Sequence, residues 1–255
     1  MSGSTENSST ANNGEQKSAL CIIVETKGSS PRKTGAKMIV YEDGSIKGTI
    51  GGGALEKNVI HNAKKVIVSG IPELFRHDLL HQHAMCCGGT VFIYIEPIVK
   101  KKKLFIFGAG HTGKALAEFS EKTDFEIFVI DGRKEMLDQI NGENISKMNI
   151  EPMKALPALK FNADSFICVM THDHELDREI LAYCLRQPHS YLGMIGSKRK
   201  VEVTKKLFSE SAFATEEELN SIDMPMGFNI GAEGPDEIAI SILSKLIAVK
   251  NKIAK

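Results

Sequence analysis

Apolar residues recur along this chain with two different periods, and the change between them divides it. Leu20–Glu25 (LCIIVE) and Lys37–Tyr41 (KMIVY) are short β-rich runs with Gly-Ser-Ser-Pro between them and Glu-Asp-Gly-Ser after the second. Both read as strands bounded by turns. ALEKNVIHNAKKVIVSG then switches to helical spacing, with Leu55, Val59, Ala63 and Val66 on one face and Gly70 as a stop. PELFRHDL and GTVFIYIEPI return to strand. This pattern predicts a small α+β unit over residues 19–98, preceded by a tail (1–18) too polar to bury a core and expected to be disordered. VKKKK, residues 99–103, reads as a solvated linker.

Beyond the linker, over residues 104–255, strands and helices alternate. KLFIFGAGHTGKALAEFSEKTDFEIFVIDGR is a strand, glycine loop, helix and strand within the roughly 30 residues of a βαβ unit. ADSFICVM predicts a strand, LDREILAYCLRQ a helix, SYLGMIGSKRK a strand and glycine turn, VEVTKKLFSE a helix, and PDEIAISILSKLIAVKNKIAK a long final helix. Such alternation implies an α/β domain with a doubly wound parallel sheet and helices on both faces.

Composition narrows the setting. Thirty-two basic and 32 acidic residues cancel, so no net field draws the chain to nucleic acid or an anionic membrane. No apolar stretch approaches the roughly 18 residues of a membrane span, and the N-terminus lacks a signal-peptide core. Five scattered cysteines suit reduced thiols in a cytoplasm better than a disulfide framework. Adjacent Cys86 and Cys87 seldom bridge each other, because the peptide between them would be strained.

Beyond the linker, four stretches carry candidate chemistry. In FGAGHTG, Gly108, Gly110 and Gly113 lie between a strand and a helix, and Asp131 ends the next strand. That context is Rossmann-like: a tight turn, backbone close to a phosphate, close helix packing, and a carboxylate for a ribose. Arg133 would accommodate a further phosphate, or is a solvated loop arginine. THDHELD places His172 and His174 where ligands meet a parallel sheet, although Asp173 could simply cap a helix. GMIGSKRK sets Ser197 and Lys198 at a helix start, an anion site or an ordinary turn. The loop GFNIGAEGPDE (227–237) has more glycine than a cap needs and could close over a ligand.

In the first unit, Ser30 and Arg32 bring a hydroxyl and a cation to a turn, and Gly51, Gly52 and Gly53 let backbone approach a ligand before a helix. HAMCCGG (83–89) joins two thiols to Gly88 and Gly89. On a strand, one thiol would pack inward and the other would be displayed, as a soft ligand or reactive sulfur. The glycine pair reads as clearance for a bulky ligand.

GSSPRKTGAKMIVYEDGSIKGTIGGGALE, CCGG…IEP, FGAGHTG…VIDGR, THDHELD, GMIGSKRK and IGAEGPDEIAISILSKLIA stand in the order found in the xanthine dehydrogenase accessory protein family, the XdhC/CoxI type, which this chain resembles over about residues 19–250. Some relatives carry a cysteine after the triple glycine. Here Ala54 follows it and the double cysteine is kept, as in the branch serving xanthine dehydrogenase. The resemblance implies a chaperone rather than a turnover enzyme. It implies that the protein binds molybdenum cofactor (molybdopterin), supports its sulfuration with a cysteine desulfurase, delivers it to a molybdenum hydroxylase such as xanthine dehydrogenase, and forms a homodimer. Cofactor-binding candidates are then Cys86, Cys87, Gly88, Gly89, Ser30, Arg32, Gly51–Gly53 and Glu56 in the first unit. Gly108, Gly110, His111, Gly113, Asp131, Arg133, His172, His174, Ser197 and Lys198 follow in the second, with Cys87 the metal ligand and no catalytic residue. The alternative is an NAD(P)-dependent oxidoreductase built on the glycine loop, with His172 or His174 as proton donor.

Overall fold

The computed structural model describes residues 16–80 and 88–253 and divides into two compact units, 1–100 and 101–255. The first comprises β1 (Ser18–Lys27), β2 (Lys37–Tyr41), β3 (Ile46–Gly48), α1 (Gly53–Ser69), β4 (Glu73–Asp78) and β5 (Thr90–Ile98). The strands form one antiparallel sheet in the order β3-β2-β1-β5-β4. Alternate residues of β1, β2 and β5 (Ala19, Cys21, Ile23, Met38, Val40, Val91, Ile93 and Ile95) are buried, as are Leu55, Val59, Ala63 and Val66 of α1. The period-2 and period-3.6 patterns therefore meet in one core. Gly70 ends α1 in the left-handed conformation, as its position predicts.

Residues 1–15 of the expected tail lie outside the described residues, and Ser18 is already strand, paired with Tyr41 and Ile98. Lys102 and Lys103, read from charge as linker, pair instead with Phe125 and Glu126. Their backbone extends a ladder that the apolar residues begin, while both lysine side chains stay partly exposed.

The second unit runs β6 (Lys102–Phe107), α2 (His111–Ser120), β7 (Phe125–Asp131), α3 (Lys134–Leu137), β8 (Ile145–Asn149) and α4 (Pro152–Ala155) with a 3-10 turn after it. It continues with β9 (Phe166–Val169), α5 (His174–Leu185), β10 (Tyr191–Met194), α6 (Lys198–Glu210), α7 (Glu216–Ser221) and α8 (Gly234–Lys250). All strand pairs are parallel, in the order β10-β9-β6-β7-β8. Leu104 and Ile106 face a layer containing Leu116, Ile242 and Leu246, whereas Phe105 and Phe107 face one containing Ile180, Leu181 and Phe208. Burial on both faces explains why these strands read as unbroken apolar runs. The order reverses between β6 and β9, so ligand-binding loops are expected after those two strands. Among the described residues no helix is long and apolar enough to cross a membrane.

Candidate functional site

In the first unit the register pairs Lys27 with Thr90, so the loop leaving β1 lies beside the residues entering β5. A Cβ on Gly89 would fall 2.3 Å from the Ser29 carbonyl oxygen, and one on Gly28 would fall 3.3 Å from Gly89 Cα. A Cβ on Gly51, at φ +141°, would lie 2.8 Å from Pro31 Cγ. Three glycine stretches distant in sequence thus converge on one end of the sheet. They do two different jobs. Gly51 and Gly89 make room for protein, which corrects the reading of Gly89 as ligand clearance. Gly52, Gly53 and Gly88 have positive φ and would project a side chain into open space.

The Ser30 hydroxyl donates to the Arg32 carbonyl at 2.8 Å, shaping the turn and leaving the Arg32 side chain exposed. Glu56 Oε1 accepts from Thr49 Oγ1 at 2.6 Å and from the Ile50 amide at 3.2 Å. Burial pushes this carboxyl's pKa up, but the Thr49 hydroxyl and the amides of Gly52, Ile50 and Gly51 outweigh it and hold the pKa below the ordinary range. Glu56 is therefore the internal anion of the glycine loop. Cys86 and Cys87 fall within 81–87, outside the described residues. Cys87 is bonded directly to Gly88, and the Leu79 amide donates to the Gly89 carbonyl at 2.8 Å, extending the β4–β5 pairing to this glycine.

In the second unit the predicted residues gather at the carboxyl end of the parallel sheet. A Cβ on Gly108 (φ +113°) would meet the Met170 carbonyl at 2.3 Å, and one on Gly113 would meet the Gly108 carbonyl at 1.9 Å. Both glycines serve backbone packing. Gly110 precedes α2 with nothing within 4 Å of its missing Cβ, so this one leaves backbone approachable by a ligand, with His111 exposed beside it.

Asp131 is 4% exposed, and its oxygens accept from the Ala109 amide (2.7 Å), the Arg133 amide (2.9 Å), Arg133 Nε (2.9 Å) and Arg133 Nη2 (2.7 Å). Burial raises its pKa, and these donors, the guanidinium first, more than reverse the effect. The carboxylate read from sequence as a ribose ligand thus holds its own glycine loop. A small cavity of about 40 Å³ lies here, lined by residues that include Arg133, Glu151, Thr171 and His172.

Asp173 caps α5, accepting from the Glu175 amide at 2.7 Å, and His174 is exposed in the first turn. Ser197 caps α6, its hydroxyl accepting from the Lys200 amide at 3.3 Å, while Lys198 remains exposed. Lys200, read from the GMIGSKRK motif as one of the cations at the helix start, turns inward instead and forms an ion pair with fully buried Asp177, whose other oxygen accepts from the Thr171 amide at 2.8 Å. An acid in the first turn of α5 and a lysine after a glycine turn were the available signal. The 227–237 loop is tied to α8, with Ser241 Oγ donating to the Phe228 carbonyl at 2.6 Å. Pro235 lies in the first turn as expected.

Cys21, Cys168 and Cys184 are buried, and burial pushes the thiols of Cys21 and Cys184 up to about 12 and that of Cys168 further. Among the described residues no three His, Cys, Asp or Glu side chains are placed to hold a metal ion.

Comparison with known proteins identifies the family. In Escherichia coli K12, a protein designated YqeB is 35% identical over 239 residues, covering 91% of this chain and 43% of that protein. A Bacillus subtilis 168 protein named as a probable xanthine dehydrogenase subunit is 28% identical over 166 residues, covering 65% of this chain and 48% of that protein. The chain thus spans less than half the length of either relative. The molybdenum cofactor insertion chaperone PaoD of Escherichia coli K12 is 21% identical, covering 91% of this chain and 83% of PaoD. A crystal structure described as a xanthine dehydrogenase from Bacillus halodurans shares the fold, with a TM-score of 0.52 at 23% identity, over 94% of this chain and 93% of that one. Residues 12–78 match the XdhC and CoxI family and residues 104–246 the XdhC Rossmann domain, so the chain belongs to the XdhC family.

Proposed function

We propose that this protein binds molybdenum cofactor and acts as an accessory chaperone for a molybdenum hydroxylase such as xanthine dehydrogenase. One observation carries the reading: three glycine stretches converge in the first unit, and the double cysteine is bonded directly to Gly88, which faces open space. The relatives named for xanthine dehydrogenase and for cofactor insertion support the same role. Molybdopterin, as cargo, presents a phosphate, a polar pterin and a dithiolene-bound metal. Exposed Arg32 and Lys33 and the backbone at Gly52 and Gly53 suit the phosphate, while a Cys87 thiolate suits the metal or its sulfur. Sulfuration with a cysteine desulfurase, and assembly as a homodimer, complete the proposal.

The test is anaerobic purification from a cofactor-producing host, followed by metal and pterin analysis. Molybdenum and pterin are expected in equal amounts in the wild-type protein and should be lost from the Cys86→Ala/Cys87→Ala variant. Undiminished retention in that variant would remove the cysteines from the site. The second reading, an NAD(P)-dependent oxidoreductase, draws on Gly110 at the sheet's switch point. It is the weaker one, because a ribose would have to displace Arg133 from Asp131. Saturable NAD(P) binding by a preparation free of pterin would reverse that order.

A further inference from the structure

The second unit has another cavity, of about 810 Å³, at the opposite, amino-terminal end of its parallel sheet, where Lys102 begins β6 and Tyr191 begins β10. Its volume is in the range that holds small molecules. Among the described residues Lys102, Lys245, Lys252 and His189 line it, with one carboxylate, Asp223.

The three lysines are not equivalent. Asp223 is already satisfied by the Tyr191 hydroxyl at 2.6 Å, the Gly227 amide at 2.9 Å and a short ion pair with Lys245. Lys245 and Asp223 therefore form a neutral, fixed wall. Lys102 lies over the Phe166 ring and reaches Asp164 at 3.4 Å, but that carboxylate's side chain is 65% exposed, so water screens the pair. Among the described residues Lys252 has no ion-pair partner. It follows the end of α8 at φ +59°, a conformation that helix ends ordinarily give to glycine. One weakly paired ammonium group and one without an ion-pair partner among the described residues thus remain to meet an anion. Between them Leu192, Ile222, Val249 and the Tyr191 ring supply apolar wall, the ring stacked on Phe166.

We propose that this cavity binds a phosphate monoester with a small aromatic or aliphatic body. The dianion matches the two available ammonium groups, and the body matches the apolar wall. The lining shares no residue with the glycine loops, and the proposal does not depend on the cofactor-chaperone reading.

Phenyl phosphate, inorganic phosphate and phenol, titrated calorimetrically into the full chain, test it. Phenyl phosphate should bind about tenfold or more tighter than either fragment, which corresponds to about 1.4 kcal/mol. A Lys102→Ala/Lys252→Ala variant should lose about tenfold in affinity, the scale of one or two charge-assisted contacts. Gly110→Asp, which puts a carboxylate at the approachable start of α2, should bind as wild type. Lys252→Gln alone, at an exposed residue, should weaken binding with an unchanged melting temperature and guards against misfolding of the double variant. Equal affinity for inorganic phosphate, unchanged binding by the lysine variants, or loss confined to Gly110→Asp would each overturn the proposal.

Discussion

At the scale of the residue, Gly52 and Gly89 look alike in sequence and differ in what an added methyl group meets. At Gly89 it strikes the Ser29 carbonyl, and at Gly52 it enters open space at φ +80°. Gly89→Ala should therefore destabilise the first unit by about 3 kcal/mol, the upper range for overpacking, and Gly52→Ala by about 1–2 kcal/mol, the left-handed backbone cost. Urea unfolding measures both. On the proposed function, Gly52→Ala should impair cofactor retention more than its small stability loss explains.

The Asp131 carboxylate, held below the usual range, also has a pH signature. Its stabilisation is complete above the ordinary aspartate pKa of about 3.9 and disappears as pH falls through the lower folded-state value. Asp131→Asn should be less stable than wild type at pH 7, with a flatter urea midpoint in the acid range. That Asp131 serves its own loop was hidden in the sequence. The Rossmann spacing marks the carboxylate, but its partner Arg133 is two residues away, where a chelating fork and a free loop cation look the same.

Between elements, the Lys200–Asp177 pair ties the start of α6 to α5 and, through the Thr171 amide, to the loop after β9. Asp177 has no exposure, so Lys200→Ala would leave an uncompensated buried charge and should cost about 3–5 kcal/mol, whereas a Lys200→Met/Asp177→Asn double variant should recover much of it. A thermal or urea scan of the three proteins checks this. The run Ser197-Lys198-Arg199-Lys200 was legible as a capped helix start with cations. Which cation turns inward depends on helix phase: once Ser197 is the cap, Lys200 is carried beneath the turn toward α5 while Lys198 stays in water. Element types were readable because the core faces repeat so regularly. The ends of β1 and β6 were less so, because Ser18, Lys102 and Lys103 join ladders through backbone that polar side chains do not report.

For the whole molecule, two compact units with separate cores are expected to unfold in two steps. In a calorimetric scan Lys200→Ala should then shift only the transition of the second unit and Gly89→Ala only that of the first. A single transition moved by both variants would show that the units unfold together. The α/β class followed from alternation in the second half of the chain. The meeting of residues 28–31, 51–53 and 88–89 did not, since strand register rather than spacing joins them.

The three buried cysteines have a practical consequence. Alkylation needs a thiolate, and burial denies it to Cys21, Cys168 and Cys184 at neutral pH. Any carbamidomethyl group that iodoacetamide leaves on the native chain therefore reports on Cys86 or Cys87, and the natural protein serves as its own cysteine-light reagent for following that pair by mass.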